Sequence, residues 1–348
     1  MKIGLRFRLA AGATAVVLTL GGSVVAAAAA GASTASTGQA ALSVSVTVRV
    51  PGPQSAGMSS AAAAACKPAL NEYNRTELCY QESVGVNVVR NHKKIGKATF
   101  TVTHAIELNT RSRDFTEQVS ISDVKLSGNA GGIHVALGVK CDSPCTATKN
   151  TFPVGDTLRS GLHGDLAYRD AVGAGHVHAD RSTYEWLFTK KGATPGATSG
   201  RTALAYRCDD AIKHFAAGCV FPEYFPIMTS MQRLPEIAAN IRRIQNHGRD
   251  HYGRRGSGHP LHHITDSREQ DRKRSQVCSR SKTGPPPAGK SCDEYPFAST
   301  AEGGTALPAS EHGWAWVKVS EQNSQSGLIT GFYNANRVLN DDAFWVAV

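Results

Sequence analysis

At 348 residues the chain is long enough for two folded regions, and 41% hydrophobic against 19% charged residues excludes a wholly disordered protein. The 38 Lys+Arg exceed the 28 Asp+Glu, giving a formal net charge of +10 that favours a polyanionic partner. Only one uncharged stretch, near the start, is long enough to span a bilayer, which excludes a multi-pass membrane protein.

In chain order, Lys2, Arg6 and Arg8 precede an uncharged run over 9–30 with Val16, Leu18, Leu20 and Val24 at its centre. Small residues follow, so 1–33 reads as an export signal. A single membrane anchor is the rival reading of the same run. The Ala- and Gly-rich second half and the polar continuation favour the signal, hence a secreted protein with no stable membrane association. Residues 34–65 read as a low-complexity linker. Export places the eight cysteines in an oxidising compartment, where disulfides are expected rather than metal thiolates. Pairing sequence neighbours gives Cys66–Cys79, Cys141–Cys145, Cys208–Cys219 and Cys278–Cys292, the simplest of many connectivities.

Residues 66–207 read as an all-β, sandwich-like accessory domain. Segments 84–90, 98–104, 119–125 and 133–139 alternate apolar with polar residues, and 184–188 and 202–206 close the set. His176 and His178 have the i, i+2 spacing of a strand-borne metal pair, but two solvent-facing polar residues are the simpler reading.

The texture changes over 208–348. Leu234, Ile237, Ala238, Ile241 and Ile244 fall at helical spacing with Pro235 near the first turn, which predicts a helix over 234–244. Residues 231–290 carry 13 Lys+Arg against 5 Asp+Glu, whereas 291–348 carry 2 against 7. Charge sorted in this way suits a surface that grips phosphates beside a pocket that grips a cation. His247 and His251 are spaced to share a helix face, but Gly253, Gly256, Gly258 and Pro260 make the segment through His259, His262 and His263 a polar loop.

Three carboxylates, Asp293, Glu294 and Glu302, lie close together beside Tyr295 and Phe297, and a Gly pair follows. On an extended segment Asp293 and Glu294 point to opposite sides. Residues 314–320 read as a strand. The helical face of Leu328, Ile329, Phe332 and Tyr333 puts Asn323 at or just before a helix start, as an N-cap or as an oxygen ligand for a hard cation. A strand closes the chain over 343–348.

Asp293-Glu-Tyr-Pro-Phe-Ala-Ser-Thr, Glu302-Gly-Gly, Asn323 before a helix and Phe344-x-Val346 together resemble the NucA/NucB family of small secreted bacterial deoxyribonucleases, over about 208–348. The resemblance implies an α+β chain whose compact ββα-metal-type nuclease domain follows the accessory domain. It implies Asp293 as general base in place of the histidine of other ββα enzymes, with Glu294 and Glu302 as further catalytic carboxylates. Glu302 and Asn323 then hold Mg²⁺ or Mn²⁺, and Tyr333 and Asn334 stand nearest to a further ligand position. The expected partner is DNA, bound by a monomer with little sequence specificity through Arg242, Arg243, Arg254, Arg255, Arg268, Arg272, Lys273 and Arg274. His262 or His263 is a candidate proton carrier, since the sequence does not fix where their loop lies. Two rivals stand beside this reading. One is a glycosidase built on Asp293 and Glu302; the other is a secreted wall- or partner-binding protein with an inactive nuclease-like domain.

Overall fold

A computed structural model describes residues 41–49 and 72–348. The expected signal, most of the expected linker and Cys66 lie outside the described residues. Mixed α and β structure results, mostly strands with a few helices.

The first strand, β1 (Leu42–Arg49), falls where the sequence reads as linker. Its Val44, Val46 and Val48 alternate, and β1 pairs antiparallel along its whole length with β3 (Glu77–Arg90), from which the short β2 (Glu72–Tyr73) branches. Next come β4 (Lys93–Glu107), β5 (Asp114–Gly128), β6 (Ile133–Lys140), β7 (Cys145–Asn150), β8 (Asp156–Thr157), β9 (His163–Asp170), β10 (Val177–Asp180), β11 (Thr183–Lys190) and β12 (Gly196–Arg201). The larger sheet runs β1-β3-β4-β5-β9-β7 and faces a smaller one, β12-β11-β6-β8. Phe100 on β4 meets Phe188 on β11 across the shared core. The larger sheet curls as a half-barrel, so that Ser43 on β1 bridges to Thr194, just ahead of β12.

Residues 202–205 do not form a strand. Arg181 takes the carbonyls of Thr202 and Ala203, and Thr202 bonds to Ser182, so side chains replace a neighbouring strand there. The strand begins instead at β13 (Tyr206–Asp209), which lies between β10 and β14 (Gly218–Val220). His178 on β10 is tied to Asp170 at 2.6 Å, an internal pairing.

A second core, from Met228 to Val346, begins with β15 (Ile227–Met228) and a short 3₁₀ turn (Ser230–Arg233). Helix α1 (Pro235–His247) then places Ile237, Ile241 and Ile244 inward, with proline at its start as its sequence predicts. The helix ends at His247, so His247 and His251 do not share a helix face. β16 (Leu261–His262), α2 (Ser267–Cys278) and α3 (Arg280–Thr283) follow. The antiparallel hairpin β17 (Lys290–Tyr295) and β18 (Gly313–Lys318) runs directly into α4 (Val319–Ala335). Last, β19 (Ala343–Val346) lies between β15 and β16. Three expected disulfides, Cys141–Cys145, Cys208–Cys219 and Cys278–Cys292, are present. Cys79 is also disulfide-bonded.

Both cores belong to one compact unit, Ala40–Val348, and a set of buried arginines fastens them together. Arg75 donates to the carbonyls of Asn336 and Arg337 and to Asp342; Arg207 donates to both oxygens of Asp342 and to the Arg337 carbonyl. Arg337 reaches back the other way to Asp209 and to the carbonyls of Thr110 and Ala216. The turn between α4 and β19 is therefore held from the β-rich side.

Candidate active site

Hairpin, α1 and α4 are locked in place by two glutamates. Leu234 offers α1 no side-chain cap; Glu321 of α4 supplies one from a distance, its Oε2 accepting from the N–H groups of Glu236 and Ile237. Glu236 in turn accepts from Lys290 Nζ on β17 and the N–H of Lys318 at the end of β18. Asp293 lies between these elements. It is 1% exposed, with Asn240 Nδ2 donating to Oδ2 at 2.9 Å and Gln325 Nε2 to Oδ1 at 2.7 Å. Burial pushes its carboxyl up to about 7, helped by Glu294 and Glu321 and opposed by the two amide bonds. Arg243 fixes Asn240 by donating to its Oδ1 at 2.8 Å.

Glu294 turns to the other side of β17, as the pleat requires. It lines a cavity of about 370 Å³ with Arg274 of α2, Ser299, His263, and Gln322 and Gln325 of α4. Burial raises the Glu294 carboxyl, against Arg274 and the main-chain N–H groups of Glu294 and Ala298. The Arg274 contact is loose, 3.5 Å from Nε to Oε1. Oε2 lies 3.4 Å from Cys278 Sγ, a sulfur that has no proton to give because it is joined to Cys292. Gln325 belongs to both carboxylates' surroundings: it bonds Asp293 and lines the cavity that Glu294 faces.

His263 stacks on Tyr333 at 3.9 Å between ring centroids and donates Nδ1–H to the Val338 carbonyl. Burial holds its imidazole below the ordinary histidine range, hence neutral. His262 is directed elsewhere, to Glu302: the carboxylate accepts from the His262 main-chain N–H at 2.9 Å and meets Nδ1 at 2.7 Å. Glu302 is thereby engaged with β16 and does not line the cavity. The glycines after it have a packing reason. A Cβ on Gly303 would stand 2.2 Å from the Phe297 carbonyl oxygen, and Gly304 has φ +70° against the backbone of Lys273.

Two sequence expectations change here. Asn323 is the fifth residue of α4, not its cap, because the helix starts directly from β18 with Lys318 as cap. Its side chain is exposed and is not part of the cavity lining; Gln322 stands there instead. Lys273 is buried, its Nζ donating to the carbonyls of Ala301 and Gly303, so it braces the carboxylate loop and is withdrawn from the phosphate-binding set. Arg242, Arg254, Arg255, Arg268 and Arg272 are exposed, as are Arg243 and Arg274 with the contacts described.

The donors around the cavity suit a hard divalent ion. Gln322 Oε1 is buried without a partner, while its Nε2 donates to Gln325 Oε1. An orphaned amide oxygen and a loosely paired carboxylate lining one cavity are the kinds of oxygen donor a hard divalent ion takes. Among the described residues, the one close cluster of three Cys, His or acidic groups is Cys141, Cys145 and Asp180, and its two sulfurs are tied in a disulfide.

Asn240, Gln322 and Gln325 escape the sequence reading. Asn240 had a signal: it occupies an inward helical position between Ile237 and Ile244, where a polar residue needs a buried partner. Gln325 and Leu328 fall at i+4 and i+7 from Glu321, on one helix face.

Residues 252–347 match the family model described as Deoxyribonuclease NucA/NucB, a segment that takes in α2, the hairpin, α4 and the cavity residues they carry. No curated protein matches the chain, and no solved structure does.

Proposed function

We propose that the chain is a secreted, metal-dependent endonuclease that hydrolyses DNA phosphodiester bonds with little sequence specificity. The observation that carries this reading is the Asp293–Glu294 pair in the matched segment, one carboxylate buried behind an amide and the other open to the cavity. The hairpin β17–β18 followed by α4 supplies the β-β-α order of the ββα-metal fold. Three disulfides suit an oxidising compartment, and among the described residues no helix is long and apolar enough to cross a membrane.

In the proposed mechanism, Asp293 takes a proton from the attacking water, with Gln325 holding the carboxylate and giving way to admit the water. A carboxyl poised near 7 is suited to accept and release a proton at neutral pH. Glu294 and Gln322 Oε1 are the ligands proposed for Mg²⁺ or Mn²⁺, which when bound would neutralise charge on the phosphate and leaving oxygens. Arg274 sits at the same cavity for a non-bridging oxygen. Glu302 orients His262, and Asn323 is proposed to act only from the exposed side of α4. The exposed arginines contact backbone phosphates, which carry no sequence information.

The test is plasmid DNA incubated with the secreted protein, with Mg²⁺, with Mn²⁺ or with EDTA. Cleavage is expected with the ions and none with EDTA. Glu294→Gln is expected to cut the rate by roughly 10²-fold or more, the scale of losing a charged group at a reacting centre. Full activity in EDTA would refute metal dependence, and wild-type rates from Glu294→Gln would remove it from the site.

A further inference from the structure

The cavity has a wall that lies outside the family-matched segment. Ala211, Ile212 and Lys213 line it, and they belong to the loop between β13 and β14 on the β-rich side of the molecule.

That loop is built rather than loose. Cys208 and Cys219, paired across β13 and β14, join in a disulfide at its base. The Asp210 N–H donates to the His176 carbonyl, and the Asp210 carbonyl accepts from Gly175. Arg111 lies 4.9 Å over the Phe215 ring, and Arg337 donates to the Ala216 carbonyl. Gly218 sits so close to Thr110 that an added Cβ would come within 2.3 Å of its carbonyl. At the tip, His214 holds a left-handed φ of 60°, a conformation that costs a non-glycine residue about 1 kcal/mol and persists only where neighbours enforce it. All this rigidity delivers one exposed cation to the cavity.

We infer that Lys213 is a phosphate-binding residue of the nuclease site, contributed by the β-rich region and held over the cavity by the disulfide-closed loop. Of the cations at this cavity, Arg274 is drawn toward Glu294 and Asp271. His263 faces it as a neutral ring. Lys213 makes no ion pair among the described residues, so its charge is available to an incoming phosphodiester. Because Arg337 ties the loop backbone at Asp209 and Ala216 to the turn after α4, the Lys213 main chain is anchored beside the cavity that Glu294 and Gln325 line, within reach of its side chain. The β-rich region thereby becomes part of the substrate site of the proposed deoxyribonuclease, on whose assignment this inference rests.

Two measurements on the full secreted chain test it. The first is binding of a fluorescently labelled single-stranded oligonucleotide in EDTA at several salt concentrations, for wild type, Lys213→Ala and Lys213→Arg. Lys213→Ala is expected to bind about 5-fold more weakly at low salt and to lower the slope of log K against log salt by about 0.7, the share of one phosphate contact on a single strand. Lys213→Arg should restore both. The second is steady-state cleavage with Mg²⁺ or Mn²⁺, where Lys213→Ala should raise KM several-fold and leave kcat within about 2-fold. Thermal midpoints should agree, since the side chain is exposed. An unchanged salt slope in Lys213→Ala overturns the inference, even if wild type cleaves DNA normally. If wild type binds DNA but cleaves with neither ion, the nuclease assignment falls while the salt slope still decides on Lys213. Failure of wild type to bind DNA overturns both.

Discussion

Replacing Asp293 by Asn is expected to lower DNA cleavage by roughly 10²–10⁴-fold, the usual range for a general base, while making the metal-free protein more stable at pH 8. The two effects share one cause. Asp293 is 1% exposed, and burial, more than the neighbouring Glu294, raises its carboxyl to about 7 from an ordinary value of 3.8. The folded state therefore binds this proton more tightly than the unfolded state does. Its contribution to stability is greatest below the unfolded value and is lost as pH rises through about 7. Ionisation at pH 8 costs on the order of 4 kcal/mol, which a neutral amide does not incur. The site can accept that amide. Its new N–H₂ group would need one acceptor where Gln325 now donates; turning the amides of Gln325 and Gln322 provides it, with the unpartnered group at Gln322 passing from its oxygen to its N–H₂. Urea midpoints in EDTA at pH 5 and pH 8 check this. Asp293→Asn should gain over wild type at pH 8 and lose most of that gain at pH 5. An equal difference at both values would mean that the carboxylate carries no burial cost.

Asp342→Ala should be the most destabilising single change considered, with an expected loss of about 3–5 kcal/mol from leaving buried charge without its partner. Asp342 accepts from Arg207 through both oxygens, at 2.6 and 2.7 Å, and from Arg75 at 3.0 Å. Burial already draws the Arg75 guanidinium down to about 10, and Asp342 is the main opposing influence. Removing the carboxylate leaves Arg75 only carbonyl acceptors and Arg207 one carbonyl with Asp209 at 3.9 Å, and it also frees the Leu339 N–H. The loss reports the cost of orphaned charge, not the net value of the pairing. Equilibrium urea unfolding measures it, and a loss under about 1 kcal/mol would show that water or a rearranged carbonyl replaces Asp342.

The sheet is legible where burial alternates. Val84, Val86 and Val88 on β3, and Val119 and Ile121 on β5, announce half-buried strands. β7 and β12, with Cys-Thr-Ala-Thr-Lys-Asn and Gly-Ala-Thr-Ser-Gly-Arg, carry too few apolar side chains to do so. α2 is hidden by its charge, although Asp266, which accepts from the N–H groups of Arg268 and Glu269, followed by Glu269 three residues on, marks its start. The opposed directions of Asp293 and Glu294 are readable because a two-residue period is a property of the backbone. The fate of Lys273 is not, since sequence records that a charge is present and not which way a four-carbon stem extends. Nor can Glu302 be matched with His262, forty residues earlier, because that contact depends on how β16 and the glycine turn meet.

The arginines that reach across the molecule bear on how this protein can be divided. A fragment cut after Phe221 would retain Asp342 without Arg75 or Arg207, and Arg337 without the Asp209 that it grips. The C-terminal part that carries the family match is thus no interchangeable cartridge. Separated from the β-rich half, the turn between α4 and β19 would carry a carboxylate and a guanidinium whose counter-charges lie on the other piece.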